Sequence, residues 1–88
     1  MKQNPEMILS EVAGNHVLVP VGKTALNFNA IVSLNEMGRT IWELLAEDTS
    51  EEALLSRILS EYEVSEARAR EDLRGFLKLL RENNCIEE

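Results

Sequence analysis

The chain has 88 residues, a formal net charge of −7 and a single cysteine, with an isoelectric point near 4.7. That length supports one domain, able to bury roughly 60–65% of its unfolded surface without staples. The acidic balance opposes phosphate binding, one cysteine excludes an internal disulfide and suits a reducing cytoplasm, and no apolar run is long enough to span a bilayer.

Residues 1–6 are polar, carry Pro5 and lack the apolar core of a signal peptide. They are expected as a disordered lead-in, followed by one domain over residues 7–86. Residues 7–13 form the first predicted strand. Gly14-Asn15 is a two-residue hairpin connection, and His16-Val17-Leu18-Val19-Pro20 is the β-branched antiparallel partner. Pro20 has no N–H for a ladder, so it belongs at a strand end or edge. Val21-Gly22-Lys23-Thr24 reads as a turn. Residues 25–32 then alternate as a third strand, with Leu26, Phe28, Ala30 and Val32 on one face and Asn27, Asn29 and Ile31 on the other. An edge strand of that length offers open backbone groups to an extended partner, and pairing or swapping of the N-terminal strands is a route to a homodimer.

Helical periodicity takes over at Ser33. Ser33 and Glu36 have the spacing of a capping box, and Asn35 is an equally good cap one step later. Met37, Ile41, Leu44 and Leu45 fall on one face, with Trp42 at its edge. Thr49 and Glu52 repeat the capping-box spacing before a second helix with a stripe of Leu54, Leu55, Ile58, Leu59 and Tyr62. Ser65 caps a third helix over residues 66–82, which ends at Asn83-Asn84, residues suited to a left-handed cap. Ala69, Leu73, Phe76, Leu77 and Leu80 are its core side, and Cys85-Ile86 is a short tail packed back on the fold. The expected class is α+β, a three-stranded antiparallel N-terminal sheet followed by three helices.

Five of the nine basic residues, Arg68, Arg70, Arg74, Lys78 and Arg81, lie in this last helix. Arg70, Arg74, Lys78 and Arg81 make a stripe that meets the core face at Leu77. It is either a solvated face or the basic wall of a groove. Catalysis has little to build on. His16 is the only histidine, the carboxylates sit on helices and the tail, and no Gly-rich phosphate loop or calcium loop is present. No enzyme activity, metal or cofactor is expected. A DNA reader using the third helix in the major groove is the alternative. The net charge, the interleaved Glu71 and Glu82, and a turn at Gly22 with only Lys23 for a basic wing argue against nucleic acid as a partner.

The ordered set His16-Val17-Leu18-Val19-Pro20, Leu34-Asn35-Glu36, Gly38, Ile41-Trp42-Glu43-Leu44-Leu45 and Phe76-Leu77-Lys78-Leu79-Leu80 resembles the PqqD family over almost the whole chain. The resemblance implies a winged helix-turn-helix-like domain that does no chemistry. It implies a peptide chaperone, or RiPP precursor recognition element, that binds a precursor's leader and presents it to a modifying enzyme, commonly a radical S-adenosylmethionine maturase. It further implies that the leader adds as an antiparallel strand on the third strand, in the groove with the third helix. On this chain that surface is Phe28, Asn29, Ala30, Ile31 and Val32, walled by Arg70, Arg74, Leu77, Lys78 and Arg81. An amphipathic or acidic leader would be steered by those cations.

Overall fold

The structure, a computed structural model, describes residues 1–27 and 31–88. Three strands, β2 (Met7–Val12), β3 (Asn15–Pro20) and β4 (Val32–Leu34), form an antiparallel sheet in that order. Helices α2 (Glu36–Leu44), α3 (Glu51–Glu61) and α4 (Glu66–Glu82) follow, giving the expected α+β, winged-helix-like arrangement. Paired residues share a face, so Leu9, Leu18 and Val32 make one row across the sheet toward the helices. Leu18, Ile41, Leu45, Leu54, Ile58, Leu73, Leu77 and Leu80 are fully buried behind it, and Trp42 belongs to the same core.

The hairpin turn sits one residue earlier than expected. Met7 pairs with Pro20 and Val12 with Asn15, leaving Ala13 and Gly14 as the loop, both at positive φ of 52° and 83°. That handedness matches the twist of the flanking strands. Asn15 is therefore a strand residue.

The first six residues are ordered into the fold, contrary to the expectation of a disordered lead-in. Strand β1 (Lys2–Gln3) pairs antiparallel with β5 (Ile86–Glu87), and the Gln3 side chain donates to the Trp42 carbonyl at 2.7 Å. Asn4 is buried. Its amide nitrogen donates to the Asn84 carbonyl at 2.8 Å and to the Thr24 hydroxyl at 3.2 Å. Polarity in this segment reflects hydrogen bonding to distant backbone rather than solvation. The tail predicted to pack back is β5, with Cys85 and Ile86 buried. Burial pushes the Cys85 thiol up to about 11, which keeps it protonated and inert near neutral pH.

The largest departure lies between β3 and β4. Where a turn and a long strand were expected, α1 spans Gly22–Asn27, and the third strand shrinks to Val32–Leu34. Phe28, Asn29 and Ala30 lie outside the described residues. The cause is a cap from far away in sequence. Glu6 accepts from the Lys23 and Thr24 backbone N–H groups at 2.9 and 3.1 Å and from the Thr24 hydroxyl at 2.9 Å, satisfying orphan donors of the first helical turn. Gly22 has φ 61°, and a Cβ there would collide with the Glu6 carboxylate. The strand-like alternation fails because Leu26 faces solvent, 85% exposed.

These donors hold the Glu6 carboxyl below its ordinary value of 4.5, the Lys23 backbone N–H contributing most. The stabilisation is therefore present above pH 4.5 and is lost as the pH falls below it through the lowered folded value. The expected result is an acid limb in thermal melts that is shallower in Glu6→Gln than in the parent. Identical limbs would show that the cap carries no stability.

The three main helices start where local chemistry dictates. Asn35 caps α2, its side-chain oxygen accepting from Gly38 N at 2.7 Å. Ser50, rather than Thr49, caps α3 by accepting from Ala53 N at 3.2 Å. Ser65 caps α4 by accepting from Arg68 N at 3.2 Å. Asn84 takes the left-handed conformation just past the end of α4, with φ 55°.

Candidate functional site

Strand β4 has β3 on one side and, among the described residues, no strand on the other. It is therefore an edge strand, where backbone N–H and C=O groups can pair with an added chain, though three residues long rather than the eight expected over residues 25–32. Val32 and Leu34 face the core while Ser33 is exposed, so the edge is anchored from beneath and open above. Ile31, just before it, is 62% exposed.

Next to this edge lie two adjoining cavities, which together make a groove. One part, of about 540 Å³, is lined by Asn15, Ser33, Leu34, Asn35, Phe76 and Leu79. The other, of about 620 Å³, is lined by Asn35, Met37, Gly38, Ile41, Glu71, Asp72, Gly75 and Phe76. Asn35 and Phe76 belong to both. Along α4 the groove runs from Leu79 back to Glu71, a rise of about 12 Å at 1.5 Å per residue, which is the length of three to four extended residues.

Two glycines shape it. At Gly38 the helices touch: a Cβ would lie 3.3 Å from Phe76 ring atoms and 3.2 Å from the Asn35 side-chain oxygen. Gly38 thus lets the ring lie against α2 while Asn35 keeps its cap. At Gly75 a Cβ would meet nothing within 4 Å, because that position looks into the open groove. Phe76, expected as a core residue, is half-buried and divides the two parts of the groove.

Of the α4 residues that line the groove, Asp72, Gly75, Phe76 and Leu79 follow i, i+3, i+4, i+7 spacing and form one flank of the buried stripe of Ala69, Leu73, Leu77 and Leu80, with Glu71 beyond them at the solvent rim. Arg70, Arg74 and Arg81 occupy the other flank, and Lys78 the solvent side. None of Arg70, Arg74, Leu77, Lys78 and Arg81 lines either part of the groove. Leu77 is fully buried in the core. The sequence located the core stripe but could not say which flank met the sheet and which met α3.

Helix α3 takes the basic flank. Arg70 donates to Glu52 at 2.6 Å and Arg74 to Glu51 at 3.0 Å. The Arg70 hydrogen bond draws the Glu52 carboxyl below its ordinary value, and Glu52 in turn raises the guanidinium value. Arg81 holds Glu88. These arginines are thereby engaged within the molecule, while Lys78 stays exposed on the solvent side.

Of the remaining sequence candidates, Ile31 lies just before β4 and Val32 at its start, and Phe28, Asn29 and Ala30 fall outside the described residues. Asn35, Gly38, Gly75 and Leu79 were missed as groove residues. Their signal was present as two glycines on facing helices with Phe76 between them, but it becomes legible only once α2 and α4 are known to face each other. Among the described residues no group of His, Cys, Asp and Glu is arranged to hold a metal ion, and no helix is long and apolar enough to cross a membrane.

The fold superposes on the solved structure of TbiB1 in complex with the TbiA(beta) leader peptide, with TM-score 0.77 and 26% identity, covering 99% of this chain and 95% of that one. It also superposes on lasso peptide synthetase B1 complexed with the leader peptide, with TM-score 0.75 and 23% identity over 99% and 96% of the two chains, a likeness of fold alone. No curated protein matches the sequence. The family model for coenzyme PQQ synthesis protein D matches residues 15–86; the chain belongs to the PqqD family.

Proposed function

We propose that this protein is a recognition module for a ribosomally made precursor peptide. It binds the leader as an added strand on β4 and presents the peptide, unaltered by itself, to a modifying enzyme in the cytoplasm. The observation that carries this reading is the β4 edge beside a groove of mixed polar and apolar lining, walled by α4. Strand addition draws affinity from main-chain hydrogen bonds and specificity from pockets that read alternate side chains, and this surface offers both. The leader-bound state of TbiB1 supports it.

An antiparallel guest would run opposite to β4, which proceeds from Val32 to Leu34 and on to Asn35. Its N-terminal side would therefore pass over the part of the groove between Gly38 and Gly75. For the receiving enzyme, family membership is compatible with a radical S-adenosylmethionine maturase.

The test is calorimetric titration with synthetic peptides covering the N-terminal part of each short open reading frame that flanks the chain's gene, in parallel with random duplex DNA at low salt. Saturable binding of the leader with no heat from DNA is expected. A silent leader, or affinity for DNA that falls with added salt, would overturn the proposal.

A further inference from the structure

The two charged residues that line the groove, Glu71 and Asp72, are both carboxylates. Every arginine in the chain holds a carboxylate: Arg39 with Glu43, Arg57 with Glu61, Arg68 with Asp72, Arg70 and Arg74 with the start of α3, and Arg81 with Glu88. Asp72 is thus partly offset by Arg68 at 3.3 Å. Glu71 lines the same cavity, is exposed, and has no ion pair among the described residues. The wall beside it is apolar, built from Met37, Ile41 and Phe76, with Gly38 and Gly75 leaving room.

A carboxylate at the rim of an apolar slot suits a cation carried on an apolar stem. Lysine and arginine side chains have that form, the stem covering apolar surface while the head stays at the water boundary. The Phe76 ring adds a surface over which a guanidinium or ammonium can sit. The acidic protein as a whole would attract such a guest and repel acidic competitors. This is the reverse of the charge expected for the groove from sequence, because the arginine flank of α4 is turned to α3.

We infer that the guest peptide carries a lysine or arginine on the N-terminal side of its strand-paired segment, its stem lying between Gly38 and Gly75 and its charge received by Glu71. The inference rests on the peptide-binding reading above and makes Glu71 a specificity-determining residue.

The probe is a displayed library of random 12-residue peptides, selected in parallel on the full chain and on its Glu71→Lys and Glu71→Gln variants. Position 71 is exposed, so melting temperatures should coincide. The parent pool is expected to be enriched in Lys or Arg at one position beside apolar, β-prone residues. That preference should vanish with Glu71→Gln and invert to Asp or Glu with Glu71→Lys. A synthetic peptide from the parent pool should bind Glu71→Lys about 5-fold more weakly at low salt, as an exposed ion pair allows, and the gap should close as salt is added. A parent pool without the cationic preference, or one unchanged by either variant, overturns the inference and leaves peptide recognition standing. If the parent retains no peptide, or its peptides bind Gly75→Trp equally well, the groove reading itself fails and takes this inference with it.

Discussion

Gly75→Trp is expected to lower leader affinity at least tenfold, about 1.4 kcal/mol, while leaving the protein folded. Position 75 lines the groove, and nothing lies within 4 Å of a Cβ built there, so a side chain added at this point starts out in open space. A helical side chain leans toward the helix N-terminus, so the indole would cover the turn that carries Glu71 and Asp72. Folding should not suffer, because glycine inside a helix is disfavoured by about 1 kcal/mol relative to alanine and tryptophan by less. Gly75→Ala is the control. It should gain roughly 0.5–1 kcal/mol, seen as a rise of several degrees in Tm for a domain of this size, and keep most of the affinity. A folded Gly75→Trp protein that binds its leader as the parent does would place the peptide elsewhere.

Leu77→Ala should have the opposite profile, with stability lost and recognition kept. Leu77 is completely buried, with Leu18, Leu73 and Leu80 in the same core cluster. Removing such a side chain costs about 2–5 kcal/mol through lost transfer energy and the cavity left behind. Against a total of about 5–15 kcal/mol for a domain, that is a large fraction, and Tm should fall by roughly 10 °C or more. Alanine at Arg74 or Lys78, both exposed, should shift stability by no more than about 0.5 kcal/mol. Affinity measured at a temperature where Leu77→Ala remains folded should stay within a few-fold of the parent. Preserved Tm with lost affinity would mean that Leu77 faces the peptide after all, as the family resemblance had placed it.

These two positions show where sequence reading stops. Gly75 and Leu77 are two residues apart on one helix, yet one lines the groove and the other fills the core. Periodicity identified the stripe of Ala69, Leu73, Leu77 and Leu80 without difficulty. It carries no information about which element covers each flank. Arg70 and Arg74 look like a free basic wall until Glu51 and Glu52 are brought to them from the start of α3, and Phe76 looks like core until Gly38 is seen to admit it at the groove wall.

The segment around α1 makes the same point for secondary structure. Residues 22–27 have neither a strong helical stripe nor a good local cap, and their alternation continues into Phe28. Only Glu6, seventeen residues before Lys23, supplies the acceptor that makes a helix start there. Likewise Asn4 gives no local sign of burial; its partners are Thr24 and Asn84.

What the amino-acid order determined by itself was what is governed by neighbours along the chain: the hairpin of β2 and β3 to within one residue, the three amphipathic helices, the cap at Ser65 and, as one of two choices with Ser33, that at Asn35, a left-handed asparagine at the end of α4, and most apolar positions of the core. Tertiary structure decided the length of β4, the start of α1, the docking of both termini, and the sign of the charge beside the groove. Local preference acts over three or four residues, whereas a cap, an ion pair or a cleft assembled from distant segments exists only after the chain has closed on itself.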